Sequence, residues 1–163
     1  MTSEEGPILD ALTALGIAVE RHEHPPIASA VGTEHLWPEI DGVQTKNLFL
    51  RNQKGTRHYL VVLDHQKRAD LKRVADQIGD GRLSFGSPQR LMALLGVTPG
   101  SVSALGLVHD AAHEVRVCLD EDLKSTARIS FHPNVNTATY VLTFANFQRF
   151  LASRGNPVQF VAI

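Results

Sequence analysis

Residues Gln44-Thr45-Lys46-Asn47-Leu48-Phe49-Leu50-Arg51 alternate in the manner of a strand, with Leu48 and Leu50 on one face and Phe49 and Arg51 on the other. Asn52-Gln53-Lys54-Gly55 reads as a turn, and Arg57 to Asp64 as the strand that pairs back across it. Lys46 stands at the start of the first strand, ahead of its apolar run. A cation there is held half in the core and half in a cleft.

The rest of the chain mixes helical and extended patterns. Ile8, Leu12 and Leu15 recur at helical spacing, which predicts a helix over Pro7 to Leu15 stopped by Gly16. Ile17 to His24 alternates as a strand and Pro25-Pro26 breaks it. Val31, Leu36 and Trp37 suggest a short helix ending near Pro38. Leu71, Val74, Ala75 and Ile78 make the apolar face of a helix over Ala69 to Ile78. Leu83-Ser84-Phe85-Gly86 is extended, and Ser87-Pro88 is the chemistry of a helix start, with Gly96 as its stop. Leu105 to Val108 and Val115 to Leu119 read as strands, Asp120 to Lys124 as a helical turn, and Ala127 to Phe131 and Tyr140 to Phe144 as further strands. A helix over Asn146 to Ser153 and a strand over Val158 to Val161 close the chain. Strands and helices do not alternate regularly and no Gly-rich phosphate motif follows a strand, so a nucleotide-binding α/β fold is excluded. The expectation is one α+β domain over residues 1–163, a mixed, largely antiparallel β-sheet flanked by helices.

Composition adds three constraints. The formal net charge is −1, so a nucleic-acid partner must be held by a local patch. Arg51, Lys54, Arg57, Lys67, Arg68, Lys72 and Arg73 lie close in sequence with only Asp64 and Asp70 between them, which makes that segment basic. A solvated hairpin and helix face is the other reading of the same residues. Cys118 is the single cysteine and sits in an alternating strand pattern, which fits a packed thiol better than a nucleophile. No signal peptide or long apolar run is visible, so a cytoplasmic protein with no membrane partner is expected.

Three pieces carry groups that packing does not require: Lys46-Asn47, the loop Gly96 to Ser103, and His132 with Asn134 and Asn136. They would supply a cation, backbone N–H donors, and polar groups that orient a ligand, which are parts suited to acyl transfer to water. His132 before Pro133 is equally able to act structurally, bonding a loop carbonyl. His22 and His24 share a strand face but lack a third ligand and read as surface residues. His109-Asp110-Ala111-Ala112-His113 has Asp where zinc proteases need Glu and lies between strands, so it is not read as a metal motif.

Four blocks, taken in order, are similar to a known family: Lys46-Asn47-Leu48-Phe49-Leu50-Arg51, Leu83-Ser84-Phe85-Gly86-Ser87, Leu94 to Val102, and Phe131 to Thr139. The chain resembles the YbaK/prolyl-tRNA-synthetase-associated editing-domain superfamily, and within it the free-standing PrdX/ProX group, from Ile8 onward. The resemblance implies a trans-editing aminoacyl-tRNA deacylase that hydrolyses the ester of mischarged tRNA, with alanine on proline tRNA as the expected substrate. It implies no cofactor and no metal, a mischarged tRNA as partner, and a transient association with prolyl-tRNA synthetase. Lys46 falls on the family's essential lysine and His132 on the histidine of the Phe-His-Pro block, the two expected catalytic residues. Asn47 and the loop residues Gly100, Ser101 and Val102 would hold the substrate, although the Gly-to-Pro spacing of Gly96 to Pro99 is one residue shorter than the family's. Val31, Phe49 and Ser84 are the expected pocket wall, and the basic segment the tRNA-binding surface. Two alternatives stay open: a deacylase for cysteine, serine or threonine, and a non-catalytic tRNA- or nucleic-acid-binding module.

Overall fold

The computed structural model describes residues 1–27 and 40–163. The helix expected near Leu36 and the pocket residue Val31 lie outside the described residues. The described chain forms strands β1 (Glu20–Glu23), β2 (Val43–Arg51), β3 (His58–Asp64), β4 (Ser84–Phe85), β5 (Val115–Asp120), β6 (Arg128–Phe131), β7 (Ala138–Thr143) and β8 (Val158–Val161). Its helices are α1 (Gly6–Ala14), α2 (Leu71–Ile78), α3 (Pro88–Leu95) and α4 (Phe144–Arg154). The strands make one mixed sheet in the order β1-β7-β6-β2-β3-β5-β8, with β4 pairing β2 beside the main path. The pairs β1–β7, β6–β7, β2–β3 and β2–β4 are antiparallel, while β2–β6, β3–β5 and β5–β8 are parallel.

Alternation along the central strands divides the core. Leu60 and Val62 of β3 and Phe49 of β2 join Ile8, Leu12, Leu91, Leu95, Phe147 and Phe150 on the face covered by α1, α3 and α4. Tyr59, Val61 and Leu63, with Leu48 and Leu50, turn to the other face and meet Val74 and Ala75 of α2. Burial on both faces explains the unbroken apolar run Tyr59-Leu60-Val61-Val62-Leu63. Truncating any of the four aliphatic side chains in that run leaves a cavity and costs about 2–5 kcal/mol.

Helix ends follow the sequence chemistry. The Ser87 hydroxyl accepts from the Arg90 N–H with Pro88 inside the first turn, and Gly96 ends α3 in the left-handed region at φ 64°. Asp70 caps α2 in the same manner. Two expectations fail. The apolar run Leu105 to Val108 is a 3₁₀ helix, Ala104–His109, because the Ser103 hydroxyl accepts from the Leu105 N–H and its carbonyl from the Gly106 N–H. A short buried apolar run does not distinguish strand from helix by period. The strand expected to reach Phe144 stops at Thr143, whose hydroxyl accepts from the Asn146 N–H and starts α4 two residues earlier than anticipated.

The N-terminus is tied to the sheet by a buried carboxylate. Glu5 is fully buried and accepts from Arg21 Nε at 2.7 Å, the Thr2 N–H at 2.9 Å and the Tyr140 hydroxyl at 2.7 Å. Burial pushes its pKa up, but these hydrogen bonds and the Arg21 charge outweigh it and hold the carboxyl at about 2. A depressed carboxyl pKa contributes stability above its unfolded value and loses it as pH falls through the folded one. Thermal melts should therefore show wild-type stability declining between about pH 4.5 and 2, and Glu5→Gln should flatten that slope while destabilising the protein by about 2 kcal/mol at neutral pH.

Candidate active site

The site lies where β2 and β6 part. They pair in parallel only at Val43↔Ile129 and Gln44↔Ser130. β2 then meets β4 only at Leu50↔Phe85 and Arg51↔Ser84. Thr45 to Leu48 have no strand neighbour on that side among the described residues, while β6 runs on into Phe131 and His132. Parallel strands that separate leave a crevice beyond their carboxyl ends, the usual place for ligands in open sheets. Gly42 allows the close start of the pair: its φ is 130°, and an added Cβ would stand 2.7 Å from the Arg128 carbonyl oxygen.

Both prongs of the fork grip one loop. The Thr45 hydroxyl donates to the Ser130 carbonyl at 2.7 Å and accepts from Asn47 Nδ2 at 3.2 Å. Asn47 Oδ1 in turn accepts from the Ala104 N–H at 2.8 Å. On the other prong, Asn134 adopts φ 60° and donates Nδ2 to the Leu95 carbonyl at 3.1 Å, close against Gly106. Asn47 and Asn134, from two of the pieces singled out in the sequence, thus hold the two ends of the third, the loop Gly96 to Ser103. Gly100, Ser101 and Val102 lie in and just after a 3₁₀ turn, Pro99–Ser101. The row of open backbone donors expected there is shorter than anticipated, because the Ser101 N–H closes on the Thr98 carbonyl and the Ala104 N–H on Asn47.

His132 borders a cleft of about 20 Å³ lined by Gln44, Thr45, Ser130, Phe131 and Thr139. Its Nδ1 lies 3.1 Å from the Ala138 carbonyl, which can only accept, so Nδ1 carries the proton and Nε2 the lone pair. Burial pushes the His132 pKa below the ordinary value, His24 adds to the effect, and the Ala138 bond opposes it. The ring is neutral at pH 7. His24, read as a surface residue, is instead half-buried: Nε2 lies 2.8 Å from Thr139 Oγ1, and its ring centroid 5.9 Å from that of His132. Nothing in the sequence links His24 to Thr139, so this pair was not legible there.

Lys46 stands on the open stretch of β2 and has no hydrogen-bond or ion-pair partner among the described residues. Burial lowers its pKa, the neighbouring Arg68 charge lowers it further, and Asp64 opposes both. Two expected wall residues lie elsewhere. Phe49 is buried in the main core, stacked on His58 at 5.7 Å and pressed against Gly86, where an added Cβ would meet its ring at 2.3 Å. Ser84 pairs with Arg51, six residues along β2 from Thr45, which is about 20 Å in an extended chain. Burial pushes the Cys118 thiol up to about 11, which leaves it inert.

The basic segment is partly neutralised by acids from elsewhere. Lys67 pairs with Asp120 and Asp122, Lys72 with Asp76 at 3.2 Å, and Arg57 lies 3.9 Å from Asp80. Arg51 donates to the Asn52 and Gln53 carbonyls of the hairpin turn. Lys54, Arg68 and the Arg73 side chain have no such partner among the described residues.

A crevice with a small polar cleft, a lysine unpaired among the described residues and a clamped loop is an arrangement suited to hydrolysing an ester, and the comparisons with known proteins place it in the aminoacyl-tRNA editing class. The chain belongs to the aminoacyl-tRNA editing domain family, whose pattern it matches over residues 24–150. It is 38% identical over 149 residues to the prolyl-tRNA editing protein ProX of Acetoanaerobium sticklandii, covering 91% of each chain. It is 31% identical to the prolyl-tRNA synthetase associated domain-containing protein 1 of Bos taurus, over 89% of this chain and 86% of that one. A solved structure of a candidate trans-editing enzyme for prolyl tRNA synthetase superposes with a TM-score of 0.73 over 100% of this chain and 99% of that one, at 22% identity. No helix among the described residues is long and apolar enough to cross a membrane.

The clamp can be tested apart from catalysis. Asn47→Ala should cost about 1–2 kcal/mol and speed hydrogen exchange at the Ala104 amide, whereas Asn47→Asp, which keeps the acceptor, should preserve that amide's protection.

Proposed function

We propose that this protein hydrolyses alanine from proline tRNA in trans, with residues 1–163 acting as one editing domain. The observation that supports the reading is that Asn47 and Asn134 hold the two ends of the loop Gly96 to Ser103 where β2 and β6 part, with neutral His132 on the β6 prong and Lys46 on β2. Relatives named for prolyl-tRNA editing support the choice of tRNA. Alanine is smaller than proline and enters the synthetase's site, and a size difference of this kind supplies only about 1–3 kcal/mol of discrimination, so a second site must remove the error. That second site admits alanine and excludes proline by size.

In this reading Lys46 holds the terminal adenosine phosphate or the scissile ester. The loop Gly100 to Val102 cradles the aminoacyl carbonyl, and Asn47 keeps the loop in place. Water, activated by the tRNA's own terminal hydroxyl, attacks the carbonyl carbon. The ester C–O bond breaks, the ribose oxygen leaves with a proton, and free alanine and tRNA result. His132 takes part as a neutral acceptor. Lys54, Arg68 and Arg73, which have no ion-pair partner among the described residues, bear on the tRNA backbone before Arg51, Arg57, Lys67 and Lys72, which must first loosen theirs. The setting is the cytoplasm, where a charging prolyl-tRNA synthetase is a transient partner.

A deacylation panel decides among substrates: proline tRNA charged with alanine, cysteine, serine or proline, and alanine tRNA charged with alanine. Release of alanine from proline tRNA alone is the expected result, and faster release of another amino acid would reassign the pocket. Binding without any release would favour the non-catalytic module. Lys46→Ala should lower kcat/KM by roughly 100-fold, equivalent to about 2.7 kcal/mol, with an unchanged melting temperature. Unchanged deacylation would remove Lys46 from the mechanism. Because His132 is held below the ordinary histidine value of 6.5, kcat/KM should stay level as pH falls to 6.5 and decline only below it. A decline centred above 6.5 would contradict a neutral-imidazole role.

A further inference from the structure

Among the described phenylalanines and tyrosines only Phe85 is exposed, at 64%, and the others are buried or half-buried. Register fixes where it stands. Phe85 lies directly opposite Leu50, and Gly86 donates its N–H to the Phe49 carbonyl at 3.0 Å. Residues directly opposite one another in an antiparallel pair share a face of the sheet. Along β2 that face carries Lys46, Leu48 and Leu50, which lie opposite Leu63, Val61 and Tyr59 of β3. Leu83, two residues before Phe85, is buried in the core on the α2 side. The backbone is held without slack: an added Cβ on Gly86 would meet the Phe49 ring at 2.3 Å, and Ser87 caps α3 directly afterwards. β4 therefore ends beside the stretch of β2 that has no strand partner on that side among the described residues, and its last residue presents a ring to solvent on the Lys46 face.

We propose that Phe85 is a stacking platform for an unpaired base in the 3′ end of the tRNA, on the path from the acceptor stem to Lys46. The inference rests on the deacylase reading and names a further point at which the same substrate is held. An exposed ring on a short edge strand adds nothing to the core and gives water an apolar surface. A nucleobase covers such a ring with its own flat face, whatever the sequence, and the stack contributes about 1–3 kcal/mol. Distance agrees. Lys46 and Leu50 are four residues apart on β2, about 13 Å in a strand. About four nucleotides stacked at ~3.4 Å each cover that length, so a terminal adenosine at Lys46 sets an earlier unpaired base over Phe85. Charge agrees as well. The groove beside β4 includes the acids Asp76 and Asp80 and the cation Arg82, and both acids are engaged, Asp76 by Lys72 and Asp80 by the Tyr59 hydroxyl. Arg82 has no ion-pair partner among the described residues. Because β4 runs antiparallel to β2, Arg82 precedes Phe85 on the side away from Lys46. A polyanion laid along this face meets a cation, a ring and a second cation in turn.

The test uses the full chain and hairpins of the proline tRNA acceptor stem, one with the unpaired 3′ tail, one blunt, and a set in which each unpaired nucleotide before the terminal adenosine is made abasic in turn. Phe85→Leu should weaken binding of the tailed hairpin by roughly tenfold, and Phe85→Trp should hold it. The loss from Phe85→Leu should vanish on the blunt hairpin and on the one abasic hairpin that lacks the stacked base. With alanine on the tail, Phe85→Leu should raise KM and leave kcat close to wild type. Equal affinity of wild type and Phe85→Leu for the tailed hairpin would overturn the inference and point to a protein partner for Phe85. An equal loss on tailed and blunt hairpins, or a Trp variant as weak as the Leu variant, would also overturn it. Should the Leu variant melt early, the wild-type scan still decides, because an abasic set bound as tightly as the intact tail would leave no base to stack. Tail-dependent binding through Phe85 without release of an amino acid from any charged tRNA would overturn the deacylase reading and leave the stacking contact standing.

Discussion

The site depends on β2 being asked to satisfy two different strands along the same side. Its first residues pair with β6 and its last with β4, and the stretch between has no strand partner on that side among the described residues. Open backbone in a partly buried crevice needs a partner or water. Here the adjoining loop is drawn in by a side chain, through the bond from the Ala104 N–H to Asn47. One such bond is worth about 1 kcal/mol, little beside the burial of the central strands. Its consequence is positional: it fixes the end of the loop against β2.

The same economy appears in the charges. Glu5 is buried with every nearby donor arranged to keep it ionised, which is how a structural carboxylate is stabilised. Lys46 has the opposite treatment. It is partly buried, lies near another cation, and has no anion in contact among the described residues. His132 is half-buried, with Nδ1 satisfied and Nε2 without a partner among the described residues. Groups held in this unfinished state cost stability and are retained where a ligand completes them.

Much of the architecture could be read from pattern alone. The β2–β3 hairpin, the Ser87-Pro88 helix start and the stop at Gly96 are local, and local chemistry decides them. The run Leu105 to Val108 was misread because four buried apolar residues look alike in either conformation, and the Ser103 cap that settles the matter is a side-chain bond two residues away. The site divides the same way. Lys46, Asn47 and His132 stand in blocks that a reader can mark, yet Phe49 and Ser84 sit in those blocks too and lie at the far end of β2 or in the core. Nor does position along a strand tell that His24 meets Thr139 across 115 residues.

Charge shows the limit most clearly. Counted along the chain, Arg51 to Arg73 is a strongly basic stretch. Folding brings Asp120 and Asp122 to Lys67 and sets Asp80 near Arg57, so that count overstates the field a polyanion would meet. What survives is more local. Burial and then the Arg68 charge lower the Lys46 pKa, with Asp64 as partial relief. Two cations in this situation gain from any phosphate that settles between or beside them, and the gain falls as salt rises. On the proposed reading, the electrostatic hold on the tRNA would then be concentrated near Lys46 and Arg68 more than across the broad surface that the sequence advertises.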